Sequence, residues 1–183
     1  FCDREGRIWM GSRRGTVATW QNGTVSVVPT IPGAPKAQVR AFTQDAKGDI
    51  WWATDGLGII QHSAGTSRQH SAAQGLPTNV VLSLAHDRHG NLLAGTDSGL
   101  YRFNAGRWTY CTTANTGAVR INALYADEHG VLVGSLTGYL ELDSTLSPLP
   151  LAERFAGFFP IALPDPRVLS ITRARNGDIW LGM

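Results

Sequence analysis

One stretch decides the fold, Asp3-Arg4-Glu5-Gly6-Arg7-Ile8-Trp9-Met10-Gly11-Ser12, because the chain repeats its pattern four more times. In the first four copies a turn of the form Asp-x-x-Gly leads into an apolar strand that ends in a small residue and a hydroxyl residue. The turn glycines are Gly6, Gly48, Gly90, Gly130 and Gly177, with successive spacings of 42, 42, 40 and 47 residues. A repeat of about 40–45 residues with tryptophan-bearing strands is typical of β-propeller blades.

Each repeat divides into four short strands joined by glycine-containing turns. The first strands, predicted at 39–44, 81–86, 121–126 and 168–173, are apolar on both faces, which indicates burial on both faces. Their third residues are all small (Ala41, Ser83, Ala123 and Ser170), which indicates crowding near a central axis. The sequence therefore predicts an all-β propeller of four-stranded antiparallel blades without substantial helix.

The repeats also predict how the chain is divided. We expect a partial blade at 1–28, three blades at 39–71, 80–112 and 121–147, a long loop at 148–167 and a partial blade at 168–183. Unpaired edges are avoided in proteins, so we expect about four blades of a larger, seven-bladed ring. The alternative is a four-bladed ring, in which strand 168–173 pairs with the three N-terminal strands. Trp9, Trp51 and Trp180 are expected to be largely buried.

Composition excludes several classes of protein. The 183 residues are 43% hydrophobic, which excludes disorder, and contain no apolar run long enough to cross a membrane. Only two cations are lysine and the arginines are scattered, so we expect no nucleic-acid partner. Cys2 and Cys111 lie far apart, and we expect unpaired thiols rather than a zinc knuckle or disulfide scaffold. No carboxylate cluster surrounds His86 and His89, and no catalytic motif occurs, so we expect no metal, cofactor or catalytic residue.

The third repeat carries the most informative motifs: Gly75-Leu76-Pro77-Thr78-Asn79, Asp87-x-x-Gly90, Gly95-Thr96 and Gly99-Leu100-Tyr101-Arg102-Phe103. These motifs resemble the two-component regulator propeller repeat, and the resemblance covers essentially the whole chain. The fourth repeat departs from the pattern, because it lacks the tryptophan and has Leu140-Glu141-Leu142 in place of the Arg-Phe strand.

The resemblance implies a sensory role. Proteins of that family are membrane-anchored bacterial sensors whose propellers lie outside the inner membrane, in the periplasm. Their output module is usually a histidine kinase, sometimes a diguanylate cyclase, and it is not encoded between Phe1 and Met183. The chain is therefore expected to be a non-enzymatic input module that senses an oligosaccharide or another small molecule. Neighbouring blades and domains of the same protein, and a homodimer, are the other expected partners.

Two rival interpretations stay open. Streptogramin-lyase-like propellers share a Gly-x-Ile-Trp strand and a similar repeat, but need a histidine and acidic residues converging on the channel with Mg²⁺. Their usual Trp-Phe-Thr strand ending is missing here. The other rival is a propeller scaffold for protein–protein interaction without a small-molecule ligand.

Ligands of propellers usually sit on one face, over the central channel. The turns between second and third strands share that face with the segments joining successive blades. We therefore expect ligand-binding side chains among Arg13, Arg14, Asp55, Asn79 and Asp97. The segment 148–167 is Pro-rich and apolar, and it is expected to be a lid, an interface or a loop packed on its own blade.

Overall fold

The computed structural model describes residues 1–114, 119–149 and 167–183, and these form five antiparallel sheets. We call the sheets blades 1 to 5 in chain order. The strands are β1 (Ile8–Gly11), β2 (Val17–Gln21) and β3 (Thr24–Val27) in blade 1; β4 (Gln38–Gln44), β5 (Ile50–Asp55), β6 (Ile59–Ser63) and β7 (Thr66–His70) in blade 2; β8 (Val81–His86), β9 (Leu92–Thr96), β10 (Gly99–Asn104) and β11 (Arg107–Tyr110) in blade 3; β12 (Ile121–Ala126), β13 (Val131–Ser135) and β14 (Gly138–Leu142) in blade 4; and β15 (Ser170–Arg173) and β16 (Ile179–Gly182) in blade 5. Two 3-10 turns, Ala72–Gln74 and Thr112–Ala114, are the helical elements of the described part. The predicted all-β fold with four-stranded antiparallel blades is confirmed.

The blades stack side by side through their first strands, because β4, β8, β12 and β15 contact one another in succession. A separate apolar cluster fills each of the four junctions. Trp9, Val17, Trp52 and Ile60 join blades 1 and 2, while Trp51, Val81, Ala94 and Trp108 join blades 2 and 3. Leu93, Leu100, Ile121 and Val133 join blades 3 and 4, and Ala123, Leu132, Val168 and Ile171 join blades 4 and 5. The core therefore lies between sheets, as expected for strands that are apolar on both faces.

The small residue that ends each second strand sets the spacing between blades. A Cβ placed on Gly95 would lie 2.7 Å from Ile121 Cγ2 and 2.9 Å from the Ile121 carbonyl oxygen in the next blade. A Cβ on Gly134 would lie 2.7 Å from Val168 Cγ1. These approaches are closer than a side chain tolerates, so glycine allows the next first strand to pack directly against the backbone.

The recurring aspartate ties the turn to the tryptophan. Asp45 Oδ1 accepts hydrogen bonds from the backbone N–H groups of Lys47 (2.9 Å) and Asp49 (3.0 Å), and Asp45 Oδ2 accepts one from Trp51 Nε1 (2.9 Å). Asp3 and Trp9 repeat this arrangement. The turn glycines, for example Gly48 at φ 95°, have positive φ, which glycine adopts without steric cost. These residues build the blade.

The burial prediction for the tryptophans is confirmed for two of them and wrong for the third. Trp9 and Trp51 are 4% and 3% exposed, whereas Trp180 is 65% exposed. Ala174 stands where the other repeats have the turn aspartate, so the indole of Trp180 lacks that acceptor. In addition, β16 pairs only with β15, and no further described sheet covers it.

The ring is open between blades 1 and 5. Among the residues that the structure describes, strand β15 is hydrogen-bonded to β16 alone and blade 1 consists of β1, β2 and β3, so these residues do not form the four-bladed closure. The outward face of blade 1 exposes apolar residues, including Val25 (62%) and Val27 (71%). The equivalent faces of blades 2 to 5 are covered by the preceding blade.

The predicted loop 148–167 lies mostly outside the described residues. Its first two residues extend blade 4, because Leu142 and Pro148 form an antiparallel bridge and Leu149 N–H donates to the Glu141 carbonyl (2.8 Å). Both cysteines are free thiols. Cys111 is buried in the junction between blades 3 and 4, and burial raises the pKa of its thiol to about 11.

Candidate functional site

One face of the described blades carries the turns between second and third strands together with the segments that join the blades. We call it the loop face. Backbone hydrogen bonds link the two kinds of segment: Val39 N–H donates to the Ser12 carbonyl (3.1 Å), and Val168 N–H donates to the Ser135 carbonyl (2.7 Å). The second–third turns of blades 1 and 4 are therefore fixed against the start of the next blade. This rigid attachment holds the exposed side chains of both segments on one surface.

The hydroxyl residue at the end of each second strand shapes the turn that follows. Ser12 Oγ accepts hydrogen bonds from the backbone N–H groups of Arg14 (3.2 Å) and Thr16 (3.0 Å). Thr96 Oγ1 accepts the N–H of Ser98 (3.0 Å) in the same role, and it also donates to the Gly99 carbonyl (2.9 Å). The backbone of the turn is thus satisfied internally, and the side chains of Arg13 and Arg14 are exposed.

The three other predicted binding residues meet at the junction of blades 2 and 3. Asn79 accepts hydrogen bonds on its backbone carbonyl from the N–H groups of Gly56 and Gly58 (both 2.9 Å). Asp55 forms an antiparallel bridge with Val80, whose carbonyl accepts the N–H of Asp97 (3.4 Å). The side chains of Asp55 and Asn79 are exposed, and that of Asp97 is half-buried. The predicted set therefore consists of two arginines at the junction of blades 1 and 2 and a polar group at the next junction along the same face, with Asp55 between them, because it also pairs with Gln38 at the start of β4.

A cavity of about 70 Å³ lies between blades 1 and 2, next to the arginine turn. Arg14, Lys36 and Thr30 supply polar groups to its lining, while Trp52 and Ile60 belong to its apolar lining. Gly15 borders it, and a Cβ there would lie 2.8 Å from the Ala37 carbonyl oxygen. Pockets for whole small molecules measure about 300–1,000 Å³, so this cavity accommodates a single chemical group rather than a ligand.

A recurring β-bulge places one further set of residues that the sequence analysis missed. In blade 2, Val39 pairs with Thr54 and Ala41 pairs with Ala53, which leaves Arg40 as an extra residue on the innermost strand. Leu82 and Asn122 are the extra residues of blades 3 and 4. A bulge re-aims a side chain out of the ordinary alternation. Arg40 is exposed, and it follows directly on the residue that is bonded to the arginine turn.

The sequence contains a weak signal for the bulge position. The residue between the Val/Ile column and the small-residue column is Arg40, Leu82, Asn122 or Leu169, and it changes chemical class while its neighbours do not. Asn122 shows that the column can carry hydrogen bonds, since Asn122 Nδ2 donates to the Val168 carbonyl (3.2 Å) and Arg120 Nε donates to Asn122 Oδ1 (3.2 Å).

The opposite face carries a wider cleft, of about 230 Å³, between blades 2 and 3. Lys47, Gln61, His86 and Asn104 are among its lining residues. His86 Nδ1 lies 3.0 Å from Thr43 Oγ1 across the junction, and burial lowers the pKa of the His86 imidazole. Within the described ranges, no three His, Cys, Asp or Glu side chains are grouped to hold a metal ion.

A network of one arginine and two carboxylates joins blades 4 and 5. Arg173 of blade 5 donates from Nε to Asp127 Oδ2 (2.8 Å) and from Nη2 to Glu141 Oε1 (2.6 Å), both in blade 4. Burial lowers the pKa of the Arg173 guanidinium, but the hydrogen bond that it donates to Glu141 and the two carboxylate charges outweigh burial and raise the pKa. Oδ2 of Asp127 thus accepts from this arginine, whereas Oδ2 of Asp3 and Oδ2 of Asp45 accept from a tryptophan in the first two repeats.

Comparisons with known proteins identify the architecture. No family model and no curated protein matches the sequence. Among solved structures, the extracellular domain of BT3049 from B. thetaiotaomicron, described as a hybrid two component system, aligns over 99% of this chain and 25% of its own, with 21% identity and a TM-score of 0.75. Virginiamycin B lyase from Staphylococcus aureus aligns over 99% of this chain and 61% of its own, with 12% identity and a TM-score of 0.72.

The WD40 β-propeller domain of Doa1 is also similar, with 17% identity and a TM-score of 0.71 over 98% of this chain and 58% of that one. The chain thus spans a quarter of the length of BT3049's domain and about three fifths of the other two. No helix among the described residues is long and apolar enough to cross a membrane. The blade geometry and these likenesses together establish the fold as part of a β-propeller.

Proposed function

We propose that this chain is the ligand-recognition part of a bacterial signal-transduction protein, and that it binds an oligosaccharide or a similar small molecule on its loop face. The observation that carries the proposal is that some polar residues build the blades while others are left exposed on the loop face. The recurring aspartates are engaged by their turns and by a tryptophan, asparagine or arginine side chain, whereas Arg13, Arg14, Asp55 and Asn79 are exposed side chains on a fixed surface. The motifs of the third repeat and the likeness to the BT3049 extracellular domain support a sensor.

The proposal places the chain outside the cytoplasm, in the periplasmic region of an inner-membrane protein. A histidine kinase or a diguanylate cyclase elsewhere in that protein would supply the output, and the chain itself would act by binding. Further blades would cover the exposed apolar faces of blades 1 and 5 and complete a seven-bladed ring. The exposures of Val27 (71%) and Trp180 (65%) support this part of the proposal.

Thermal unfolding in the presence of an oligosaccharide panel tests ligand recognition. A ligand that binds only the folded chain at 100 times its Kd stabilises it by about 2.7 kcal/mol, or about 5–10 °C for a chain of this size. Asn79→Ala, on the loop face, is expected to reduce the shift. Asn104→Ala, an exposed residue of the opposite face, is the matched control and should leave it unchanged. No shift with any member of the panel would contradict ligand sensing and favour the interaction scaffold.

A lyase-like enzyme is the second candidate, because the likeness to virginiamycin B lyase extends over nearly the whole chain. Incubating the chain with a streptogramin B antibiotic and Mg²⁺, followed by mass spectrometry, tests it. Our proposal predicts that the antibiotic stays intact at the rate of a buffer control. Turnover above that rate would show that the chain acts as an enzyme and would contradict the sensor proposal.

A further inference from the structure

Four exposed cations gather where blades 1 and 2 meet on the loop face. They are Arg13, Arg14, Lys36 and Arg40, and we call them the basic patch. Their backbones are held together by the hydrogen bond from Val39 N–H to the Ser12 carbonyl (3.1 Å). The structure gives none of the four an ion pair with any residue in the described ranges.

The charge of the patch is unusual for this chain. The whole sequence has 16 Lys and Arg residues against 14 Asp and Glu residues, so cations and anions are nearly balanced overall. One carboxylate borders the patch, that of Asp55, which pairs with Gln38 on the adjoining strand. Four cations against one carboxylate leave a local excess of positive charge on an otherwise nearly neutral chain. Such a surface concentrates and orients anions.

The small cavity between the same two blades lies beside the basic patch and provides a place where an anionic group can bind. Arg14 and Lys36 both line it, together with the polar Thr30 and Thr54. Its volume of about 70 Å³ is well below that of a pocket for a whole small molecule and is on the scale of one compact polar group. Arginine suits such a group, because its planar fork donates two parallel hydrogen bonds to a carboxylate or a sulfate.

We infer that the basic patch binds a carboxylate or sulfate group of the ligand, so that the loop face selects anionic over neutral saccharides. This inference rests on the proposed function for the choice of ligand face. The chemistry of the patch supplies the selection. Arg14 and Lys36 contact the anionic group at the cavity, while Arg13, next to Arg14 in the turn, and Arg40 on β4 contribute long-range attraction.

Isothermal titration of the whole chain with four trisaccharides tests the inference. The probes are trigalacturonate, its fully methyl-esterified form, a sulfated trigalactose and the unsulfated parent. We expect at least one anionic probe to bind at least tenfold more tightly than its neutral counterpart, since hydrogen bonds to charged groups are stronger than neutral ones. Which anionic probe binds separates carboxylate from sulfate recognition.

Variants then locate the effect. Arg14→Gln combined with Lys36→Gln is expected to weaken the anionic probe by at least tenfold and to leave the neutral counterpart unchanged. Arg107→Gln removes an exposed cation at the start of β11 and should change neither. Circular dichroism melting verifies folding, and Arg14→Lys, which keeps the charge, should restore part of the affinity.

Three results would overturn the inference. Equal binding of the charged and neutral probes would contradict charge selection. If Asn79→Ala still weakened that binding, the loop face would remain the ligand site and the proposed function would stand. If Arg107→Gln weakened binding of the anionic probe as much as the double variant does, the probe would be attracted by the net charge of the chain rather than by the basic patch. Absence of binding by both anionic probes would also contradict it, and the thermal screen with neutral saccharides then decides whether the proposed function stands.

Discussion

A buried histidine makes the fold sensitive to acid. His70, at the end of β7, is 2% exposed and packs against the rings of Trp51 (5.0 Å between centroids) and Phe103 (5.1 Å). Its Nε2 lies 3.1 Å from Gln61 Oε1, whereas its Nδ1 is buried and has no hydrogen-bond partner among the described residues. Burial first, and then the charge of Arg68, lower the pKa of His70 from 6.5 to about 4. Protonation would place a second N–H where no acceptor lies.

The sign of the effect follows from the two pKa values. Between pH 6.5 and pH 4 the unfolded chain binds a proton at His70 that the folded chain rejects, so stability falls as the pH is lowered through this window. From pH 7.5 to pH 5.0 this group alone removes about 2 kcal/mol of unfolding free energy. Burial also lowers the pKa values of His62 and His86, which contribute in the same direction.

Urea unfolding at pH 7.5, 6.0 and 5.0 measures the effect. We expect His70→Gln to lose about 2 kcal/mol less stability than the parent chain over this range, whatever its absolute stability. His89→Gln, in an exposed turn, is the control and should retain the parent dependence. Equal pH dependence in the parent and in His70→Gln would refute the account of a neutral, desolvated imidazole.

Three further substitutions test how the blades are built. Asp45→Asn keeps an acceptor for only part of the turn and weakens the bond from Trp51 Nε1, so a loss of about 1–2 kcal/mol is expected in urea unfolding. Gly95→Ala should cost about 1–3 kcal/mol by overpacking against the Ile121 carbonyl 2.9 Å away, and a loss below 0.5 kcal/mol would contradict the close approach of blades 3 and 4. Arg173→Met removes the cation that donates to both Asp127 and Glu141, and a loss of about 3–5 kcal/mol is expected in urea unfolding at pH 7.

The periodic part of the sequence was sufficient to predict the sheets. The Asp-x-x-Gly turn, the following apolar strand and the small residue after it each correspond to a contact that recurs in the structure. Asp45 satisfies its turn and Trp51, and Gly95 admits the next blade. Such features depend on neighbours within one repeat or on the same position of the next, so one sequence is enough to detect them.

Features that depend on particular partners were not predicted. Trp180 matches the motif, but its burial requires a turn aspartate and a covering sheet, and Ala174 occupies the aspartate position. Arg173 donates to Asp127, 46 residues earlier, and this pair does not recur in the other repeats, so the repeat pattern does not predict it. Arg40 was missed because aligning repeats residue by residue hides a bulge, which exists only in the register between two strands. The distribution of the predicted site residues over two neighbouring junctions likewise depends on how successive blades pack, which one repeat does not show.

Amide hydrogen exchange with and without the oligosaccharide that gives the largest thermal shift tests the central claim most directly. Ligand recognition on the loop face predicts slower exchange in 12–16, 36–40, 55–58 and 78–80, with the opposite turns 46–48, 88–90 and 104–106 unchanged. Slower exchange confined to the opposite turns, or no change anywhere at saturating ligand, would contradict the claim.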